Sequence, residues 1–214
     1  MKLFLDDREV QTDSADLAGA IAAGCREAEA RGRIIVEAHL DGRPLPGEML
    51  ADPAFASQTG GEIRLTTAEP RALVLTTLLD VADALEAARD VQRDAAELIQ
   101  TGQLDAALPR LSEALSVWEQ ARQVVVHGCE LLNISPHTPV PVSGEQTPAQ
   151  GPGVTIAQRA DILAGHLGEV KRCIEVRDWT GLADALLYDM DAQAEVWRGV
   201  LSGLASIIRE SRGA

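Results

Sequence analysis

Between Thr101 and Leu132 the apolar residues Leu104, Leu108, Leu111, Leu115, Trp118, Val125 and Cys129 recur in steps of four and three, with Arg122 as the one interruption. That spacing places them on one face of an α-helix. The pattern then repeats. At a constant offset the same positions fall on Ala183, Leu187, Met190, Ala194, Trp197, Leu201, Leu204 and Ile208. Thr101-Gly102 falls on Thr180-Gly181, and Val117-Trp118 on Val196-Trp197. The chain therefore carries a duplicated helical unit.

Each copy is preceded by another amphipathic stretch. Val74, Leu78, Val81, Leu85, Ala88, Gln92, Ala95 and Ile99 predict a helix of roughly 30 residues, ~45 Å long, opening at Glu69-Pro70 with Thr67 as its cap. Ile156, Ala160, Leu163, Leu167, Val170 and Ile174 predict its counterpart, capped by Thr155. Pro109 lies early in the second helix and is expected to kink it or delay its start. Residues 69–132 thus read as a first antiparallel helical hairpin and 154–214 as a second, its last helix filling 182–210. Between them, 133–153 holds Pro136, Pro139, Pro141, Pro148 and Pro152 among polar residues, the composition of a flexible tether. Extended, it spans ~65 Å, so the hairpins can pair within one chain or between two. Either way they bury their stripes as a four-helix bundle.

The first 68 residues follow another rhythm. An apolar run at Lys2–Leu5 turns through Asp6-Asp7-Arg8 into a short strand at Glu9–Gln11. Asp13 or Ser14 caps a helix with Leu17, Ala20, Ile21, Gly24, Cys25 and Ala28 on one face, ended by Gly32. A strand follows at 33–40, the Asp41-Gly42 turn, a short edge strand at Arg43–Leu45 limited by Pro44, a loop from Pro46 to Gln58, and a last strand at Glu62–Thr66. This order, with the Asp41-Gly42-Arg43-Pro44-Leu45 turn, resembles the ubiquitin-like β-grasp fold. The resemblance covers 1–68 alone and implies a small binding or dimerisation module. Gly60-Gly61 precedes the last strand instead of ending the chain, so conjugation is not implied. The fold class expected is α+β: a β-grasp-like domain, then two repeated hairpins.

Composition narrows the chemistry. Aromatic residues make up 3% of the 214 residues against 46% hydrophobic, so the core is aliphatic. The formal net charge is −14, which argues against binding to phosphate backbones or anionic membranes and favours a basic protein partner. Met1–Asp7 holds no apolar region long enough for a signal peptide and no stretch approaches ~20 apolar residues, so a soluble cytoplasmic protein of bacterial type is expected. Cys25, Cys129 and Cys173 are too few and too scattered for a disulfide framework. None of His39, His127, His137 and His166 has a Glu three residues earlier, as a di-metal bundle requires. Gly151-Pro152-Gly153 lacks the lysine of a P-loop. The carboxylates of the long helices, among them Asp80, Asp83, Asp90, Asp94, Glu97, Asp184, Asp189 and Asp191, are expected on solvated faces. No catalytic residue, cofactor or metal site is predicted. Trp118 and Trp197 are equivalent in the repeat and belong either to the core or to an exposed groove that anchors a partner helix. Trp179, in the turn, is expected at the surface. The function expected is non-enzymatic protein–protein interaction, as an adaptor, assembly factor or chaperone-like binder. The alternatives are an enzyme or ligand binder with its site between the domains, and a homodimeric structural protein.

Overall fold

A computed structural model describes residues 1–47, 49, 57–59, 61–140 and 153–211. Most of the loop from Pro46 to Gln58 and of the proline-rich tether therefore lies outside the described residues. The chain divides into two compact units, Met1–Leu73 and Val74–Ala214.

The N-terminal unit is a mixed sheet of β1 (Lys2–Leu5), β2 (Arg8–Val10), β3 (Ile34–Leu40), β4 (Arg43–Pro44) and β5 (Glu62–Ala68), crossed by α1 (Leu17–Ala30). The order is β2-β1-β5-β3-β4. β1 and β5 run parallel at the centre and the other neighbours are antiparallel. This is the β-grasp-like module expected. The β1–β2 turn uses Asp6 and Asp7, with φ of 48° and 62°, a left-handed pair that matches the twist of a two-residue hairpin. Alternation puts Leu3, Leu5, Ile63 and Leu65 on one face, where Leu17, Ala20 and Ala28 of α1 complete a separate core. A methyl of Leu65 fills the place a Cβ on Gly24 would take, so helix and sheet approach closely there.

Two expectations fail locally. Asp16, not Asp13 or Ser14, caps α1, accepting from the Gly19 amide at 2.8 Å. Thr67 does not cap the next helix. Its amide and hydroxyl donate to the Asp6 carboxylate at 2.8 and 2.7 Å, and its carbonyl accepts from Arg33 at 2.7 Å. Those Thr67 bonds, then the nearby Arg33 charge, hold the Asp6 carboxyl below its ordinary value.

The second unit contains all but the first turn of α2 (Pro70–Gln100), then α3 (Leu104–Leu131), α4 (Ile156–Val176), α5 (Trp179–Asp184), a π-helical segment (Ala185–Met190) and α6 (Asp191–Glu210). α2 and α3 turn at Gly102, whose φ is +76°. Pro109 sits inside α3 without delaying its start. Past α3 the described part of the tether is fastened down. The Val140 amide donates to Val154, Ile156 donates to Thr138 and Ala157 donates to Pro136, and Val140 is buried. α4 then opens on a Thr155–Gln158 capping box. The four long helical arms share one core that includes Leu78, Leu85, Leu111, Trp118, Leu163, Leu186 and Trp197. Arg89 meets Asp191 and Glu195, while the earlier Glu86 meets the later Arg198, so α2 and α6 run antiparallel. The hairpins pair within one chain, as a four-helix bundle.

The last arm departs from expectation. It begins at Trp179, not 182, with the Asp178 carboxylate accepting from the Gly181 amide at 2.9 Å. Gly181 is therefore helical, whereas its sequence counterpart Gly102 forms a turn. The arm also passes through a π turn.

Candidate functional site

The phase of α3 shapes one groove on the surface of the bundle. Its buried residues are Ala107, Leu111, Ala114, Trp118, Ala121, Val125, Gly128 and Cys129. Ala107, Ala114, Ala121 and Gly128 are one heptad apart and form a small-residue seam that lets a neighbour come close. At Gly128 the neighbour is Val74 of α2, whose Cγ1 lies 2.9 Å from where a Cβ would stand. Turning the seam inward keeps Leu111, Trp118, Val125 and Cys129 of the expected stripe in the core and leaves its other edge nearer solvent. Leu108 is 43% exposed, and Leu104 and Leu115 are half-buried. Leu108, Leu111, Ser112, Leu115 and Ser116 then line an open groove of about 480 Å³ with Ile174 of α4. Apolar walls with two hydroxyls and no charged group among these lining residues suit the apolar face of a helix.

The tryptophans lie elsewhere. Trp118 and Trp197 are 1% and 0% exposed, so both indoles are core and neither is on the surface as a partner anchor. Trp179 is half-buried against the same core, not freely exposed. The equivalent pair differs in bonding. Trp118 Nε1 donates to Gln92 Oε1 at 3.0 Å, and Gln92 Nε2 donates to the Leu186 carbonyl at 2.6 Å. Trp197 Nε1 is buried and has no partner among the described residues. Repeat equivalence carries Gln92 onto Lys171, whose side chain is 78% exposed.

Most helix carboxylates are exposed as expected, including Asp80, Asp83, Asp90, Asp94, Glu97, Asp184 and Asp189. Asp191 is not. Its side chain is 20% exposed and bound at 2.7 and 2.8 Å by Arg89, with Arg93 at 2.8 Å. The Arg89 hydrogen bonds, assisted by both cations, hold its carboxyl below the ordinary aspartate value. Sequence alone gave no sign of this cluster, because its members are spread over two distant helices.

Remaining chemistry is sparse among the described residues. No group of three His, Cys, Asp or Glu is placed to hold a metal. His127 meets only Glu130, at 3.2 Å, and His166 only Gln193, at 3.4 Å. The cysteines are free thiols. Burial pushes the Cys129 thiol up to about 11, which suppresses thiolate chemistry at neutral pH. Among the described residues, no helix is long and apolar enough to cross a membrane.

In the N-terminal unit, the sheet face away from α1 carries the cross-strand row Glu9, Phe4, Arg64, His39 and Pro44. The Arg64 guanidinium lies 4.6 Å from the Phe4 ring centre and binds Glu62 and Asp7, so this face largely satisfies itself. A hollow of about 610 Å³ opens beside Leu40, Arg43, Pro44 and Met49 at the β4 edge. No protein family model, curated protein or solved structure matches the chain.

Proposed function

We propose that this chain is a non-catalytic protein-interaction module, an adaptor, assembly or chaperone-like factor of the cytoplasm, that receives a partner's amphipathic helix between α3 and α4. The observation that supports the reading is the exposure of Leu108, with Leu115 half-buried at the edge of the core, along a groove floored by Leu111. Two antiparallel helices with an apolar furrow accept a third helix through its i, i+3, i+4 and i+7 positions. The net charge of −14 favours a partner helix whose remaining face is basic. The β4 edge is the weaker surface, because it is two residues long and one of them is Pro44.

Leu108→Asp tests this. Leu108 is too exposed for the change to open a cavity, so the melting temperature is expected to stay within ~2 °C. Loss of the captured partner from that variant, with capture intact in Thr66→Asp on the sheet face, supports the groove. An unchanged partner set sinks it. A wild-type dimer in light scattering that becomes a monomer on Leu108→Asp would make a second copy of this chain the occupant.

A further inference from the structure

We infer that the last arm of the bundle has two helical registers, and that the buried side chain of Gln92 selects the π-helical one. The sequence of this arm offers two inward faces. The observed face uses Leu182, Leu186, Met190 and Ala194, all buried, in three successive steps of four. An α-helix of 3.6 residues per turn overshoots by about 40° at each step of four. Three such steps would carry the stripe about 120° off the core. The π segment Ala185–Met190 absorbs that drift by unwinding one turn. The other face uses Ala183, Leu187, Met190 and Ala194, with steps of four, three and four that an unbroken α-helix follows; Ala183 is already buried beside Leu182, and Leu187 is half-buried against the same core. Met190 and Ala194 serve both faces. Leu186 and Leu187 are neighbours, so a slip of one residue trades one leucine for the other.

Several contacts fix the observed register. Gln92, 1% exposed, donates to the Leu186 carbonyl inside the π segment and accepts from Trp118. Arg89 and Arg93, on the same helix, grip Asp191 just beyond it. α6 is therefore anchored, and a change of register falls on α5. Slipping one residue into an α-helix turns that segment by about 100° and shifts it ~1.5 Å. Tyr188, 67% exposed within the π segment, would report the change at the surface. The equivalent turn of the first copy, Ala106–Leu111, stays α-helical, and its buried face follows steps of four and three without a break.

Hydrogen-bond-mediated couplings in the NMR spectrum of the full chain identify the carbonyl that each amide binds. In the wild type, amides of the π segment should couple to carbonyls five residues back. Gln92→Met combined with Trp118→Phe removes the lock and leaves no unpaired indole N–H, only the Leu186 carbonyl without its side-chain donor, and those couplings are expected to move to carbonyls four back. A folded double variant that keeps couplings five back overturns the role of Gln92. A second variant, Leu182→Ala with Ala183→Leu, leaves Gln92 in place and moves the bulky side chain to the α-type face. It should show both sets of couplings. Couplings wholly five back in that variant overturn the two-register inference, including where the first variant does not fold.

Discussion

Trp118 and Trp197 occupy equivalent positions and are equally buried, yet only one indole N–H has a partner. Deleting a donor whose acceptor stays buried costs about 1–3 kcal/mol. Trp118→Phe strands Gln92 Oε1 and is expected to cost that much more than Trp197→Phe, where the lost N–H was unsatisfied. Both changes remove similar volume, so the difference in urea-unfolding free energy isolates the hydrogen bond. Equal losses would mean that the Gln92 contact contributes nothing. Asp191 sets a second expectation. Its folded value is depressed, so the stabilisation is complete above the unfolded aspartate value of about 3.9 and is lost as pH falls through the folded value. Asp191→Asn should lower stability by roughly 1 kcal/mol at neutral pH. The gap between variant and wild type should stay flat from pH 8 to 5 and close below about pH 4. Such partners lie far apart in sequence, so hydrophobic spacing predicted the depth of these residues better than their bonds.

At the level of the element, spacing identified every long helix and placed Leu111, Trp118, Val125 and Cys129 of α3 in the core, but it set the centre of that buried face too far towards Leu108. Steps of four and three fit two adjacent stripes there, one rich in leucine and one in alanine. Transfer free energy favours burying leucine, but helices at short separation need small residues between them. Ala107, Ala114, Ala121 and Gly128 provide that fit, and the leucines of the groove are its consequence. Gly128→Ala tests the seam. Helix propensity alone would gain about 0.5–1 kcal/mol. Overpacking against the stiff, branched Val74 costs about 1–3 kcal/mol, so a net loss of stability is expected. Gly168→Ala on α4 meets no neighbouring atom and should show the gain. The π turn was invisible for a related reason: the regular stripe through Ala183 and Leu187 does reach the core, Ala183 buried and Leu187 half-buried, but the fold buries Leu182 and Leu186 beside them. The cap at Asp16 and the fastening of residues 133–140 likewise depend on backbone hydrogen bonds, which composition does not encode.

Across the whole molecule, spacing changes from period two to helical near residue 69, and contacts divide the chain into Met1–Leu73 and Val74–Ala214. Each unit holds its own apolar cluster. A fragment covering 69–214 is therefore expected to unfold cooperatively with a helical circular-dichroism spectrum, and a non-cooperative melt would count against an autonomous bundle. The repeat, legible in the chain, predicted a bundle core around both tryptophans. It did not predict the groove, because the two copies differ in the phase of their last helices. Binding through that groove is tested most directly by a photo-crosslinking residue placed at Ser112, between Leu108 and Leu115, with a control at the exposed Asp83 of α2. The expected result is one dominant adduct at position 112 that Leu108→Asp abolishes and that position 83 does not form. Equal adducts at both positions, or one at 112 that survives Leu108→Asp, would contradict it.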